Sequence, residues 1–256
     1  MNKDLRKKGG GRVARFFYPD TLGSGAEARL PAEAAHHAAR VLRLGVGDPL
    51  TLFNGRGGEF EARILRVDRG DVWVKTGAFV DRGVESPLEV ILGQGLSGGD
   101  RMDLTLQKAV ELGASAIQPL TTERSIVKLN PERAARRTEH WRSLVISACE
   151  QCGRNLVPPV FELRRFDEWL AQLSRNAEPG ELRLLMSPNA QTSLKTLAAP
   201  RKIVLLAGPE GGLSAQEASL AETFGFAPMR LGPRVLRTET AAMAALAAIQ
   251  TAWGDF

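Results

Sequence analysis

Two stretches late in this 256-residue sequence concentrate residues able to position a ligand. Ile203-Val-Leu-Leu-Ala207 runs into Gly208-Pro-Glu-Gly-Gly-Leu-Ser214, and Ser214 with Glu217 has the spacing of a capping box. That pattern reads as a strand, a sharp glycine loop and a capped helix. Three glycines let backbone amides and carbonyls approach a ligand closely. Glu210 in the same loop disfavours phosphate and tolerates a cationic or neutral ligand, so a nucleoside bearing positive charge suits it better than a nucleotide. The second stretch, Leu231-Gly-Pro-Arg-Val-Leu-Arg-Thr-Glu-Thr-Ala241, repeats the plan. A strand expected over 229–231 leaves through Gly232 and Pro233 and enters an Ala-rich helix near Thr238, the expected cap, with Glu239 complementing the helix dipole. An arginine aimed from so rigid an element, Arg237, suits the positioning of an anion or a substrate. Each stretch taken alone is also accounted for by a tight turn and a well-capped helix.

Other constellations compete. Gly93-Gln-Gly-Leu-Ser-Gly98 follows an apolar strand, precedes a helix and has Glu123 at the end of the next strand, so it formally matches a dinucleotide-binding turn. Its helix starts near Gly99-Asp100-Arg101, however, which puts a carboxylate where pyrophosphate would sit. A tight strand exit is the plainer reading, and Val substitutions of Gly95 and of Gly211 are expected to separate the two. The sequence contains no P-loop motif. Cys149-Glu-Gln-Cys152 has redox or zinc-like spacing but falls late in a helix without a second pair, and His36, His37 and His140 show no metal-ligand spacing. No metal is expected.

The elements that carry these loops follow from pattern. Short strand-like runs over 13–18, 49–53, 59–67 and 71–74, separated by Gly and Asp, suggest a small barrel over 13–81. One helix interrupts it, opened by Pro31 and running through Ala34, Ala38, Val41 and Leu42. Phe16, Phe17 and Tyr18 are expected to pack in the barrel at least in part. Residues 82–87 read as a linker. From 88 to 256 strands alternate with helices: strands over 88–92, 116–120, 182–186 and 203–207, helices over 102–112 and 131–152, and further helices from about Ala215 and Glu239. That alternation implies a mostly parallel sheet covered by helices, an α/β fold.

Composition bounds the rest. With 43% hydrophobic and 25% charged residues the chain is an ordinary globular protein, and two cysteines make no disulfide scaffold. The longest apolar stretch, 241–249, falls far short of the roughly 20 residues that cross a bilayer. A cytoplasmic location is expected. The whole net charge of +5 is matched by six cations against one acid within the first fifteen residues. A basic arm over 1–12 with three consecutive glycines suits sequence-independent contact with polyanions.

At the two late loops the sequence resembles the SPOUT-class methyltransferases, specifically the bacterial 16S ribosomal RNA uridine N3-methyltransferases. The resemblance spans nearly the whole chain and includes Arg15-Phe-Phe, Val41-Leu-Arg-Leu44, Gln107-Lys-Ala-Val-Glu-Leu-Gly113, Thr122-Glu-Arg-Ser125 and Glu150-Gln-Cys-Gly-Arg154. Cys152 stands where the family usually has Ser, and the basic arm is a departure. The resemblance implies a PUA-like RNA-binding β-barrel followed by a SPOUT domain threaded into a trefoil knot, an exception to the rule against knots. It implies S-adenosylmethionine held in the knot loops and a site completed in a homodimer. Its cofactor contacts would fall at Leu206, Ala207, Gly208, Pro209, Glu210, Gly211, Gly212, Leu231, Gly232, Val235, Leu236, Arg237, Thr238, Thr240 and Ala241.

A sulfonium makes its methyl group electrophilic already, so the protein need only align uracil N3, favour loss of its proton and exclude water. Arg124 and Arg154 are expected to grip phosphate or the uracil carbonyls and stabilise the developing anion, Arg237 is expected to act mainly on the transition state, and Glu210 is a candidate base. RNA contacts are expected at Arg12, Arg15, Arg43, Arg124 and Arg154, with 16S rRNA or the small ribosomal subunit as partner. Two alternatives stay open: a dinucleotide-dependent oxidoreductase using 93–98, and a noncatalytic RNA-binding assembly factor.

Overall fold

The computed structural model of the chain describes residues 13–176 and 178–256. The arm over 1–12, and with it Arg12, lies outside the described residues. Two compact units emerge, one reaching to Val84 and including Gly153–Leu156, the other comprising Glu85–Cys152 and Val157–Phe256.

The first unit is built on β1 (Ala14–Phe17), β2 (Glu27–Arg29), β3 (Pro49–Phe53), β4 (Glu59–Asp68) and β5 (Asp71–Val80), in the order β1-β3-β4-β5-β2. β1 runs parallel to β3 and the other neighbours are antiparallel. The β4–β5 hairpin turns through Arg69 and Gly70, both at positive φ, as a tight two-residue turn between twisted strands requires. Side chains alternate along the hairpin: Ala62, Ile64, Val72 and Val74 are buried with Phe16, Leu50 and Leu52, whereas Arg63 and Lys75 face outward. The long helix expected after Pro31 is instead α1 (Ala32–His36) followed by a π-helical turn, His37–Val41, closed by the Leu42 amide on the His37 carbonyl at 2.9 Å. The wider turn keeps Ala38 buried but carries Val41 and Leu42 out to solvent.

Arg15 corrects one expectation. It is 7% exposed, its guanidinium donates to Glu59, to Asn155 Oδ1 at 2.6 Å and to the Arg154 carbonyl at 3.3 Å, and it lies over the Phe53 ring at 4.9 Å. So buried a strut ties Gly153–Leu156 to β1 and does not present itself to phosphate. Arg43 is exposed and adopts a left-handed backbone.

The second unit contains β6 (Glu89–Gly95), α2 (Gly99–Glu111), β7 (Ala116–Thr121), α3 (Pro131–Cys152), β8 (Arg164–Arg165), α4 (Phe166–Arg175), β9 (Glu181–Met186), β10 (Lys202–Ala207), α5 (Ala215–Thr223), β11 (Ala227–Met229) and α6 (Thr238–Trp253). The strands form one parallel sheet in the order β11-β9-β10-β6-β7-β8. β10 is buried from Ile203 to Ala207 without alternation, as helices on both faces of a parallel sheet demand. β11 ends at Met229, short of the expected 229–231. It tolerates Pro228 because it is an edge strand.

α2 and α3 are joined through Asp103, which accepts from Trp141 Nε1 at 3.2 Å and meets His140 Nε2 at 2.7 Å. His140 is thereby engaged within the fold. At the far end of the chain Gln250, fully buried on α6, accepts from Ser86 Oγ at 2.7 Å and donates to the Leu112 and Gly113 carbonyls at 3.3 and 3.4 Å. No helix among the described residues is long and apolar enough to cross a membrane, and no group of three or more His, Cys, Asp or Glu there could hold a metal ion.

Candidate functional site

β11, β9 and β10 are adjacent and parallel, so their carboxyl ends open on one edge of the sheet. Open α/β sheets bind ligands at such edges. Here the segments leaving the three strands line a cavity of about 770 Å³.

The loop after β10 is shaped by its glycines and by what lies behind it. The Gly212 amide closes a turn on the Pro209 carbonyl at 2.8 Å, and Gly212 has φ of +67°, which a side chain resists. Ser214 then caps α5 with both halves of the capping box in place. Gly211 lies against Arg124, whose guanidinium donates to the Gly211 carbonyl at 3.1 Å. Behind the loop, a Cβ on Gly95 would stand 2.5 Å from Pro209 Cδ and 2.6 Å from Pro209 N, so the end of β6 must be bare for the loop to pass. Gly93 faces the Trp169 ring in the same way. The first two glycines of the apparent dinucleotide turn are therefore consumed by packing.

The Gly208 carbonyl joins the two expected ligand loops. It accepts from Thr238 Oγ1 at 2.6 Å and from Gln94 Nε2 at 3.2 Å, and Gln94 Nε2 also reaches Thr238 Oγ1 at 3.2 Å. Thr238 is the first residue of α6 and not its cap. Arg237 occupies the cap position without a side-chain cap bond, since a guanidinium offers no acceptor to the helix amides, and the Thr238 hydroxyl is spent on the neighbouring loop.

Charge is distributed unevenly around the cavity. Arg101, Arg124, Arg230, Arg234 and Arg237 line it together with Glu210 and Glu239. Glu210 Oε1 accepts from the Gly98 amide at 2.8 Å and from Arg101 at 3.2 Å. Burial alone would raise the Glu210 pKa, but these donors, the Gly98 amide foremost, hold it below the ordinary carboxylate value. A carboxylate so held ties the loop to the start of α2.

Of the residues expected to hold a cofactor, Ala207, Gly208, Pro209, Glu210, Gly211, Gly212, Leu231, Gly232, Val235, Leu236, Arg237, Thr238 and Ala241 line this cavity, whereas Leu206 and Thr240 do not. Leu206 is buried in the apolar core beside Trp169 and Phe226. Arg124 and Arg237 are at the cavity, but Arg154 belongs to the first unit and is absent from its lining. Sequence reasoning missed the third segment, Leu185, Met186, Ser187, Pro188 and Asn189 after β9. Its signal was the Ser-Pro-Asn turn at a strand end, which acquires meaning only once β9 is known to neighbour β10.

The residue set fits a charged nucleoside. The walls combine apolar Leu185, Ala207 and Leu236 with exposed loop backbone, and one carboxylate oxygen each of Glu210 and Glu239 is buried without a hydrogen-bond partner among the described residues. Comparison with known proteins agrees. The profile of an RNA methyltransferase domain matches residues 84–250 and that of an RNA methyltransferase PUA domain matches residues 30–76. The ribosomal RNA small subunit methyltransferase E of Buchnera aphidicola (from Acyrthosiphon pisum) is 32% identical over 96% of either chain. The chain belongs to the ribosomal RNA small subunit methyltransferase E family. A family member from Neisseria gonorrhoeae, solved bound to S-adenosyl methionine, is 42% identical with a TM-score of 0.88, covering 96% of this chain and 100% of that one. A Legionella pneumophila protein solved in complex with the bound cofactor SAM is 40% identical with a TM-score of 0.90 over the same shares. In the fold of this methyltransferase family the first unit is thus PUA-like and the second is an α/β methyltransferase unit.

Proposed function

We propose that the protein transfers a methyl group from S-adenosylmethionine to N3 of a specific uridine in the 16S rRNA of the small ribosomal subunit. The observation that carries this is the meeting of the two late glycine loops at one cavity on the carboxyl edge of the sheet, in a chain of this family. The donor would be held by Ala207, Gly208, Pro209, Gly211 and Gly212 on one side and Leu231, Gly232, Leu236 and Thr238 on the other. When bound, it supplies an electrophilic methyl carbon on a sulfonium.

The chain's own residues do the rest. The Gly208 carbonyl, fixed by Thr238 and Gln94, sets the spacing of the two loops, and Arg124 fixes Gly211. Arg237, exposed on the rim, would meet the uracil carbonyls and stabilise the anion left when N3 loses its proton. Its partner in this is Arg124, which lines the same cavity. Glu210 acts as a brace. Residues 13–81 form a PUA-like barrel that presents Arg43 to RNA, 82–87 a linker, and 88–256 a SPOUT domain whose late loops pass through a trefoil knot. Arg154, held in the first unit, contributes to RNA contact and not to the donor cavity. A homodimer in the cytoplasm is the working form.

The test is incubation of small ribosomal subunits lacking the modification with methyl-labelled donor, followed by digestion and mass spectrometry. Label in 3-methyluridine at a single position is expected. Label elsewhere, or none with a protein that binds the subunit, overturns the assignment.

A further inference from the structure

We propose that Glu239 reads the positive charge on the methionyl portion of the methyl donor, and so sets the enzyme's preference for a charged over an uncharged adenosine ligand. The inference rests on the reading of the cavity as the donor site.

Glu239 stands in the first turn of α6 and lines the cavity. Its Oε2 is buried and makes no hydrogen bond among the described residues. Buried carboxylate oxygens are costly to leave unmatched, and exceptions point to function. The environment makes this exception sharper. Five arginines line the same cavity, and none comes within ion-pair distance of Glu239, although Arg237 is only two residues away in sequence. Arg101 is taken by Glu210 and Arg124 by the Gly211 carbonyl. The other cavity carboxylate, Glu210, thus has its cation already, and Glu239 does not.

Position also favours a carboxylate here. An anion in the first turn of a helix is stabilised by the helix dipole and the free amides there. A carboxylate in the wall of a ligand cavity with no protein cation paired to it is suited to a ligand that brings positive charge. S-adenosylmethionine offers positive charge at its ammonium, which also donates hydrogen bonds, and at its sulfonium, which does not. The adenosine portion offers none.

Calorimetric titration of wild type and Glu239→Gln with S-adenosylmethionine, S-adenosylhomocysteine and 5′-methylthioadenosine tests this. The three ligands share adenosine; only the first carries the sulfonium, and the last lacks the ammonium as well. Wild type failing to bind S-adenosylmethionine would refute the donor site itself, separately from the role of Glu239. Given wild-type binding, Glu239→Gln is expected to weaken S-adenosylmethionine about tenfold or more while 5′-methylthioadenosine changes less than about twofold. S-adenosylhomocysteine weakened in parallel would assign the ammonium; S-adenosylhomocysteine unaffected would assign the sulfonium. Equal loss for all three ligands, or loss for none, overturns the proposal. If Glu239→Gln loses its cooperative melt, Glu239→Asp carries the same test: a deficit confined to the charged ligands supports the role and an equal deficit rejects it.

Discussion

Gly95→Ala isolates the contact on which the donor loop depends. The added methyl would stand 2.5 Å from Pro209 Cδ, 2.6 Å from Pro209 N and 2.9 Å from the Gly208 carbonyl carbon, against roughly 3.5–4.0 Å for comfortable carbon contacts. Strand and loop would therefore have to part by about 1 Å. The loop cannot simply retreat, because Thr238 and Gln94 hold the Gly208 carbonyl. Forcing a methyl into such packing costs about 1–3 kcal/mol, which at this chain length lowers the melting temperature by about 2–10 °C. A displaced loop should also weaken S-adenosylmethionine by about tenfold or more, since misplacements of this size are felt strongly at sites of this kind. Differential scanning fluorimetry and calorimetric titration read the two effects. Gly83→Ala, where nothing lies within 4 Å of the new methyl, is the control and should stay within about 0.5 kcal/mol. A Gly95→Ala protein that melts and binds donor as wild type does would refute the packing argument.

Thr238→Val and Gln94→Leu should each destabilise by about 1–2 kcal/mol, and because both groups serve one carbonyl the double mutant should depart from additivity by at least about 0.5 kcal/mol in urea unfolding. Glu210, held below its ordinary pKa in the folded state, adds stability that is present above the unfolded value and disappears as pH falls through the folded one. Melting curves recorded downward through the carboxylate range should accordingly fall less steeply for Glu210→Gln than for wild type, and identical acid limbs would deny the brace. Arg15→Met leaves Glu59 and Asn155 without their guanidinium, so the first unit should lose about 3–5 kcal/mol by urea titration. The salt slope of RNA binding by the folded fraction should be unchanged, whereas a shallower slope would restore Arg15 as a phosphate contact.

The alternation of strands and helices beyond residue 88 was legible because parallel strands buried on both faces read as uninterrupted apolar runs, and α3 begins at Pro131 and closes at Cys152 as its pattern predicts. α4 was equally readable, with Phe166, Trp169, Leu170 and Leu173 at helical spacing behind Asp167 and Glu168, yet so short a helix is easily passed over as a loop. Local pattern could not show the meaning of Gly93 and Gly95. Their spacing matches a phosphate-binding turn, whereas their cause is the passage of Trp169 and Pro209, residues far away in sequence. For the same reason Val substitutions at Gly95 and Gly211 no longer separate the two cofactor readings, because both would disturb one loop. The π-helical turn after His36 and the grouping of Gly153–Leu156 with the first unit also arise from tertiary contacts that leave no periodic trace. Two of the three cavity segments were found from their glycines; the third waited on strand order.

The Gln250 amide has a consequence for how the α/β unit bears load. Ser86 opens that unit and Gln250 sits in its final helix, so a single side chain clasps the way in to the way out. Tension applied at the two extremities would meet this clasp before it reached the sheet, and the donor loops inside would be spared until it let go.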